Sequence, residues 1–218
     1  GFIGRNGAGK TTTLKSLLNL VHPNSGEILF FGKSFKENEF EIKQKIGFVA
    51  GGIDYYPKKK IKTITETTRR FYKNWDDKAY NHYMDLFNLD ENKSPDELSA
   101  GMKVKYSLVL ALSHNAELLI LDEPTNGLDP VGVHEIRNLI RSLPEKSDCT
   151  VLVSSHLLSE IELMADNIGI LNHGNLLFEG TIDSLNKTVA EQGYSTNNLE
   201  DTFLALIDAD NGRRGERK

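Results

Sequence analysis

The opening stretch "GFIGRNGAGKTT", Gly1 to Thr12, does most to limit what this chain can fold into. Phe2 and Ile3 read as the end of a buried strand, and Leu14, Leu17, Leu18 and Val21 recur at helical spacing just beyond. Between them stands the pattern G-x-x-x-x-G-K-[ST], met by Gly4, Gly9, Lys10 and Thr11, with Gly7 as a further pliable position. Glycines at that spacing let consecutive backbone amides turn toward one anion, while the lysine and the helix N-terminus add positive charge. The expected ligand is a nucleoside triphosphate held by Gly4, Arg5, Asn6, Gly7, Ala8, Gly9, Lys10, Thr11 and Thr12. Lys10 would reach the β- and γ-phosphates and Thr11 would ligate magnesium. A glycine-rich turn with an accidental lysine is the alternative, and the strand-to-helix setting weighs against it.

With 218 residues, 39% hydrophobic and 26% charged, the chain can bury a full core as one domain or one domain plus a subdomain. A formal charge of −5 argues against a sequence-blind nucleic-acid binder, which needs a basic footprint. One cysteine, Cys149, excludes an internal disulfide and fits a reducing cytosol. No run approaches the roughly 18 to 20 apolar residues of a membrane helix, so any membrane role is expected to pass through a partner. The chain opens on "GFIG" without a Met, and the natural protein is expected to extend upstream.

Further along, "EILFFGKSF" has β-rich character and "KIGFVAGG" reads as a short strand ending in glycines. From Thr63 to Asn115 the texture turns helical. Ala79, Tyr80, Tyr83, Leu86 and Phe87 mark one amphipathic helix, and Val104 to Leu112 mark a longer one. Trp75, Tyr80 and Tyr83 are expected to pack this insertion, and the run Lys58, Lys59, Lys60 to be solvated. Apolar strands resume in "LLILDEP", "TVLVSSH" and "IGILNHGNLLFEG", alternating with helical patterns over Gly132 to Leu143 and Leu157 to Ala165. Continuous apolar strands between helices predict an α/β fold with a mostly parallel sheet covered on both faces. A hairpin is expected at His173-Gly174-Asn175. After Thr181 the chain reads as polar, and "NGRRGERK" predicts a frayed basic end.

Three more stretches carry chemistry. "LLILDEP" delivers Asp122 and Glu123 to the carboxyl end of a buried strand, where parallel-sheet sites form; Asp122 can hold a metal and Glu123 can polarise a water. "VLVSSH" presents His156 at the end of another strand, where its N–H could reach a γ-phosphate oxygen. His22, His82, His114, His134 and His173 are read as surface or satisfied core residues. "LSAGMKVK" places Ser99, Ala100 and Gly101 at the start of a helix, a second anion-attracting end in a chain that already has one.

The ordered set of Gly4 to Thr12, "LSAGM", "LLILDEPTNGLDP" and "VSSH" resembles the ATP-binding subunit of ABC transporters, over nearly all of residues 1–182. The texture is similar to the bacterial ABC-2 type exporters, the antibiotic-export and immunity ATPases. The resemblance implies a P-loop NTPase fold: a RecA-like ATPase core over 1–52 and 116–182, a helical subdomain over 53–115 with the signature, and a C-terminal extension over 183–218. It implies ATP with Mg2+ on Thr11 and Asp122, catalysis by Lys10, Glu123 and His156, and a dimer in which Ser99, Ala100 and Gly101 of one copy meet the nucleotide on the other. Asp129 would communicate across that dimer. The expected partners are a second, like or unlike, ATPase subunit and separate membrane permeases, with no nucleic acid, at the cytoplasmic face of a bacterial membrane. The resemblance also leaves room for a soluble ATPase acting on ribosomes or nucleic acid, and for a regulatory ATP-binding module.

Three departures stand out. Ala100 replaces the usual signature glycine, a change that costs little if its backbone keeps a negative φ. Gly51 or Gly52 stands where the family commonly has a glutamine near the metal, so that a water or Asp54 would take its place. The upstream segment with the adenine-stacking aromatic is not in the sequence.

Overall fold

A computed structural model describes residues 1–50, 56–146, 149–191, 193 and 198–215. In chain order the elements begin with β1 (Phe2–Ile3), α1 (Lys10–Leu17), β2 (Leu29–Phe30), β3 (Lys33–Ser34), α2 (Phe35–Lys43) and β4 (Ile46–Ala50). They continue with α3 (Ile61–Arg69), α4 (Asp77–Leu86), α5 (Ala100–Leu112), β5 (Leu118–Asp122) and α6 (Pro130–Lys146). The last are β6 (Thr150–Ser155), α7 (Leu158–Met164), β7 (Ile168–Asn172), β8 (Asn175–Gly180), α8 (Ile182–Glu191) and α9 (Leu199–Gly215). Two compact units result, Gly1–Val21 with Val153–Lys218, and His22–Leu152.

In the first unit β1 lies between β6 and β7, parallel to both, with Ile3 opposite Ser155 on one side and Ile170 on the other. β7 and β8 form an antiparallel hairpin whose turn is made by His173 (φ 46°) and Gly174 (φ 75°), the left-handed pair that suits a tight two-residue connection. Leu14 and Leu18 bury the inner face of α1. The helical face expected to run on to Val21 ends sooner: Asn19 takes a left-handed φ of 59°, the helix closes at Leu17, and Leu20 and Val21 are exposed.

The polar ending predicted after Thr181 is instead two helices. Thr181 caps α8, its hydroxyl accepting from the Ser184 amide at 3.1 Å, and Asn198 caps α9, accepting from Asp201 N–H at 2.8 Å. Leu199, Phe203 and Ile207, four residues apart, bury one stripe of α9. The end expected to fray is helical through Gly215, because that docked stripe anchors the turns that follow it.

In the second unit β4 and β5 pair in parallel from Ile46 opposite Leu118 to Ala50 opposite Asp122. Leu119, Ile120 and Leu121 are fully buried, as a strand covered on both faces requires. A Cβ on Gly47 would lie 2.8 Å from the Ala111 carbonyl oxygen, so glycine there lets α5 sit directly on β4. The helices α3, α4 and α5 build a core of their own from Ile61, Ile64, Tyr80, Met84, Tyr106 and Val109, with Trp75 and Tyr83 packed against it. The Tyr106 hydroxyl, fully buried, donates to the Ile61 carbonyl at 3.0 Å and lies 2.9 Å from Thr65 Oγ1. "EILFFGKSF" is the β2–β3 hairpin, turning at Phe31 (φ 53°) and Gly32 (φ 73°).

Candidate functional site

The phosphate loop runs from the end of β1 to the start of α1. Gly7 (φ 81°) and Gly9 (φ 109°) take conformations that a side chain would strain, and Gly9 caps α1. Gly4 is needed for space: a Cβ there would lie 2.6 Å from the Leu171 carbonyl oxygen. The loop closes on itself through the Ala8 N–H, which donates to the Arg5 carbonyl at 3.0 Å. Lys10 is 5% exposed, and its Nζ donates to the Gly4 carbonyl at 2.8 Å, so the ammonium is folded against the first residue of the loop. Ala8 is buried, whereas Arg5, Asn6, Gly7, Thr11 and Thr12 are exposed. A buried lysine beside a glycine-rich loop at a helix N-terminus has the composition of an anion cradle. Thr13 fixes the first turn of α1, with both its amide and its hydroxyl donating to the Gly9 carbonyl at 2.8 and 3.0 Å.

His156 lies in the same unit. β6 pairs in register with β1, and His156 follows Ser155 as Gly4 follows Ile3, so both leave the sheet at one rim. It is exposed there. The Ser155 hydroxyl accepts from the Leu157 amide at 2.9 Å and sets the turn that presents it.

The second unit holds the acidic pair. Asp122 closes β5 and is 7% exposed; Glu123 follows, half-buried, at a φ of 50°. A non-glycine residue in that region costs of order 1 to 3 kcal/mol and marks a place where the backbone serves something other than stability. The kink turns Glu123 off the strand line, and its carbonyl accepts from Asn126 N–H at 3.1 Å. Asp129 caps α6: its Oδ1 accepts from Gly132 N–H at 2.7 Å, with Pro130 at the first helical position.

Ser99 caps α5 and its hydroxyl accepts from Met102 N–H at 3.2 Å. Ser99 and Ala100 are exposed, and Ala100 is absent from the positive-φ residues, so the alanine sits in the signature without backbone cost. A Cβ on Gly101 would meet Leu128 at 3.7 Å, and Lys105 bonds Glu135 at 2.6 Å, so the first turns of α5 run beside the "NGLDP" loop and α6. Gly51, Gly52 and Asp54 lie outside the described residues.

Among the described residues, no group of three or more His, Cys, Asp and Glu could hold a metal. Of the two expected ligands, the Thr11 hydroxyl is exposed in the first unit and the Asp122 carboxylate is buried in the second, and each is a hard oxygen. That donor chemistry fits magnesium, which keeps waters and binds through one or two protein oxygens plus substrate phosphates.

His114 is the satisfied core histidine that was expected. Its ring stacks on Tyr72 at 3.8 Å, with Nδ1 3.1 Å from the Leu110 carbonyl oxygen and Nε2 3.1 Å from that of Ile46. Burial pushes its pKa below the ordinary value, against those two carbonyls. Lys58, Lys59 and Lys60 are exposed. Sequence reasoning missed one contact of the loop: Gly174 N–H, in the β7–β8 turn, donates to the Ala8 carbonyl at 2.8 Å. The turn residues announce a hairpin but not the surface it meets.

A strand, phosphate loop and helix with an acidic strand end define a nucleoside-triphosphate-binding α/β protein. Residues 1–126 match the ABC transporter family, and the chain belongs to it. It is 41% identical over 209 residues to the bacitracin transport ATP-binding protein BcrA of Bacillus licheniformis, covering 95% of this chain and 68% of that one. Among solved structures it resembles an ATP binding subunit of an ABC transporter, with a TM-score of 0.81 at 26% identity, over 94% of this chain and 86% of the other. The dimeric post-hydrolysis ATP-binding cassette MJ0796, bound to ADP and Pi, shares the fold with a TM-score of 0.72 at 23% identity, over 83% of each chain. The chain spans about two thirds of the length of the curated relatives it matches, 68% of that BcrA and 61% of the Enterococcus faecalis BcrA.

Proposed function

We propose that this chain is the ATPase subunit of an exporter, hydrolysing ATP to ADP and phosphate while paired with a second ATPase subunit, and passing the work to separate membrane permeases. The observation that carries this reading is the glycine-rich loop before α1, with Gly7 and Gly9 at positive φ and the buried Lys10 folded onto the Gly4 carbonyl at 2.8 Å. Gly4 to Thr12 take the triphosphate, and Lys10 neutralises the β- and γ-oxygens. Thr11 and Asp122 hold Mg2+, which when bound neutralises charge on the phosphates. Glu123 accepts a proton from the attacking water as the new O–P bond forms and the β–γ bridge breaks. His156 donates its N–H to a γ-oxygen.

Ser99, Ala100 and Gly101 serve the nucleotide of the partner subunit, with the N-terminus of α5 aimed at the γ-phosphate. ATP then stabilises the closed pair, and loss of the γ-phosphate releases it. Asp129, which fixes the start of α6, links the two copies. We assign the ATPase core to 1–52 and 116–182, the helical subdomain to 53–115 and the C-terminal extension to 183–218. The separate core of Ile61, Tyr80 and Tyr106 favours the helical division.

The name of the BcrA relative, a bacitracin transport ATP-binding protein, favours transport over a ribosomal or nucleic-acid role. Glu123 and His156 favour hydrolysis over a purely regulatory module. Among the described residues no helix is long and apolar enough to cross a membrane, so the path for cargo is assigned to partner permeases at the cytoplasmic face of a bacterial membrane. The test is ATP turnover by the purified chain, with and without its permease. Magnesium-dependent phosphate release abolished by Glu123→Gln supports the reading; turnover unchanged in that variant removes it.

A further inference from the structure

The β7–β8 turn does more than reverse the chain. Its Gly174 N–H donates to the Ala8 carbonyl at 2.8 Å, and Gly4 rests so close to Leu171 that a Cβ would lie 2.6 Å from the Leu171 carbonyl oxygen. The phosphate loop is thus seated on this turn near both of its ends. The turn in turn is pinned from the far end of the chain. Asn172, the last residue of β7, is 4% exposed, and its Nδ2 donates to Asp210 Oδ2 at 2.9 Å and reaches Asn211 Oδ1 at 3.4 Å, both on α9. Asp210 lies one helical turn past Ile207, on the stripe that Phe203 and Ile207 bury, so docking of α9 aims the carboxylate at Asn172. An amide paired with a carboxylate makes a stronger bond than a neutral pair, and a buried amide stripped of its partner is costly.

We propose that Asn172 and Asp210 are positioning residues for nucleotide binding: the C-terminal helix holds the turn, and the turn holds the phosphate loop with its amides facing the phosphates. The inference rests on the reading of Gly4 to Thr12 as the nucleotide site. Neither residue touches ATP. Losing the Asn172–Asp210 bond lets the turn drift, lowers the fraction of loops in the binding conformation, and weakens affinity by that fraction.

The experiment titrates the full chain with a fluorescent ATP analogue and magnesium, with melting curves confirming that each variant is folded. Asn172→Ala and Asp210→Leu are each expected to weaken binding about three- to ten-fold, the scale of one hydrogen bond, and to raise KM while kcat at saturating ATP stays within about two-fold. The double variant loses about as much as Asn172→Ala alone, because Asp210 acts on the turn through Asn172. Asp210→Asn, which keeps an acceptor, returns to wild-type affinity. Amide exchange at Gly174 quickens in the two weakened variants only. Asp210, half-buried, carries the test if Asn172→Ala does not fold. Wild-type affinity and Gly174 protection in folded Asp210→Leu, or additive losses in the double variant, overturn the inference. Lys10→Ala separates the two levels: if it binds the analogue normally, the reading of the site itself fails, whereas lost binding in Lys10→Ala beside normal binding in the positioning variants sinks the inference alone.

Discussion

The Gly4–Thr12 loop and the N-terminus of α5 are both read as anion-seeking, but they are built in opposite ways. The loop is held inside its own unit: Lys10 is buried on Gly4, Gly174 supports Ala8, and Leu171 packs under Gly4. The α5 end is exposed at Ser99 and Ala100, and the Ser99 hydroxyl is occupied by its own helix at 3.2 Å from Met102 N. The first is formed within a single chain. The second is capped by its own serine and exposed at its first two residues, which suits a surface that meets its ligand on another molecule. On the proposed reading, that difference lets one chain hold two anion-seeking features without redundancy.

Substitutions in the two regions should therefore fail differently. The largest effect is expected for Glu123→Gln, which removes the base and lowers kcat by about 10²- to 10⁴-fold while leaving ATP affinity within a few-fold, as measured by phosphate release and titration. Lys10→Ala comes next, with ATP affinity falling on the order of 100-fold even in the monomer, because a buried charge-assisted contact to phosphate is lost. Ser99→Ala separates the regions most cleanly. Monomer binding is retained, the loss of the cap costs about 1 kcal/mol in urea unfolding, and turnover falls only at protein concentrations where the pair forms. Equal loss of monomer binding in Ser99→Ala would erase the contrast. Asp129→Ala, which removes the α6 cap, is expected to cost a similar ~1 kcal/mol.

The smallest effect tests a part that belongs to neither region. Burial lowers the pKa of His114 below its ordinary 6.5, so the folded chain prefers the neutral ring. Stability from this group is fully present above about 6.5, where folded and unfolded forms are both neutral, and declines as pH falls toward the folded value, because the unfolded chain takes up the proton first. A loss of stability on acidification is expected in unfolding curves, and His114→Gln should flatten it.

How much was legible in the sequence follows from where the information lies. β1, the loop and α1 could be read because a fixed glycine pattern sits between an apolar strand and a periodic helix. β5 could be read because Leu119 to Leu121 are buried on both faces and leave a continuous apolar run. α2 was not, since only Phe35 and Ile42 are buried among nine residues, too few to show a period. α3 was covered only by the general helical texture from Thr63 on, because threonines interrupt its own buried face of Ile61, Ile64 and Thr65. α8 and α9 were masked by polar flanks, although the spacing of Leu199, Phe203 and Ile207 and the caps Thr181 and Asn198 were there to be counted. The pairing of Asn172 with Asp210 has no such trace: the residues are 38 positions apart and only the fold brings them together.

The proposed mechanism requires each nucleotide to be shared between two chains. The most direct measurement is sedimentation equilibrium of Glu123→Gln at saturating ATP and magnesium, with and without its permease, beside the same variant carrying Ser99→Arg. The predicted result is an ATP-dependent dimer for the first and a monomer that still binds ATP for the second. A Glu123→Gln chain that stays monomeric with ATP, or a dimer indifferent to Ser99→Arg, would contradict it.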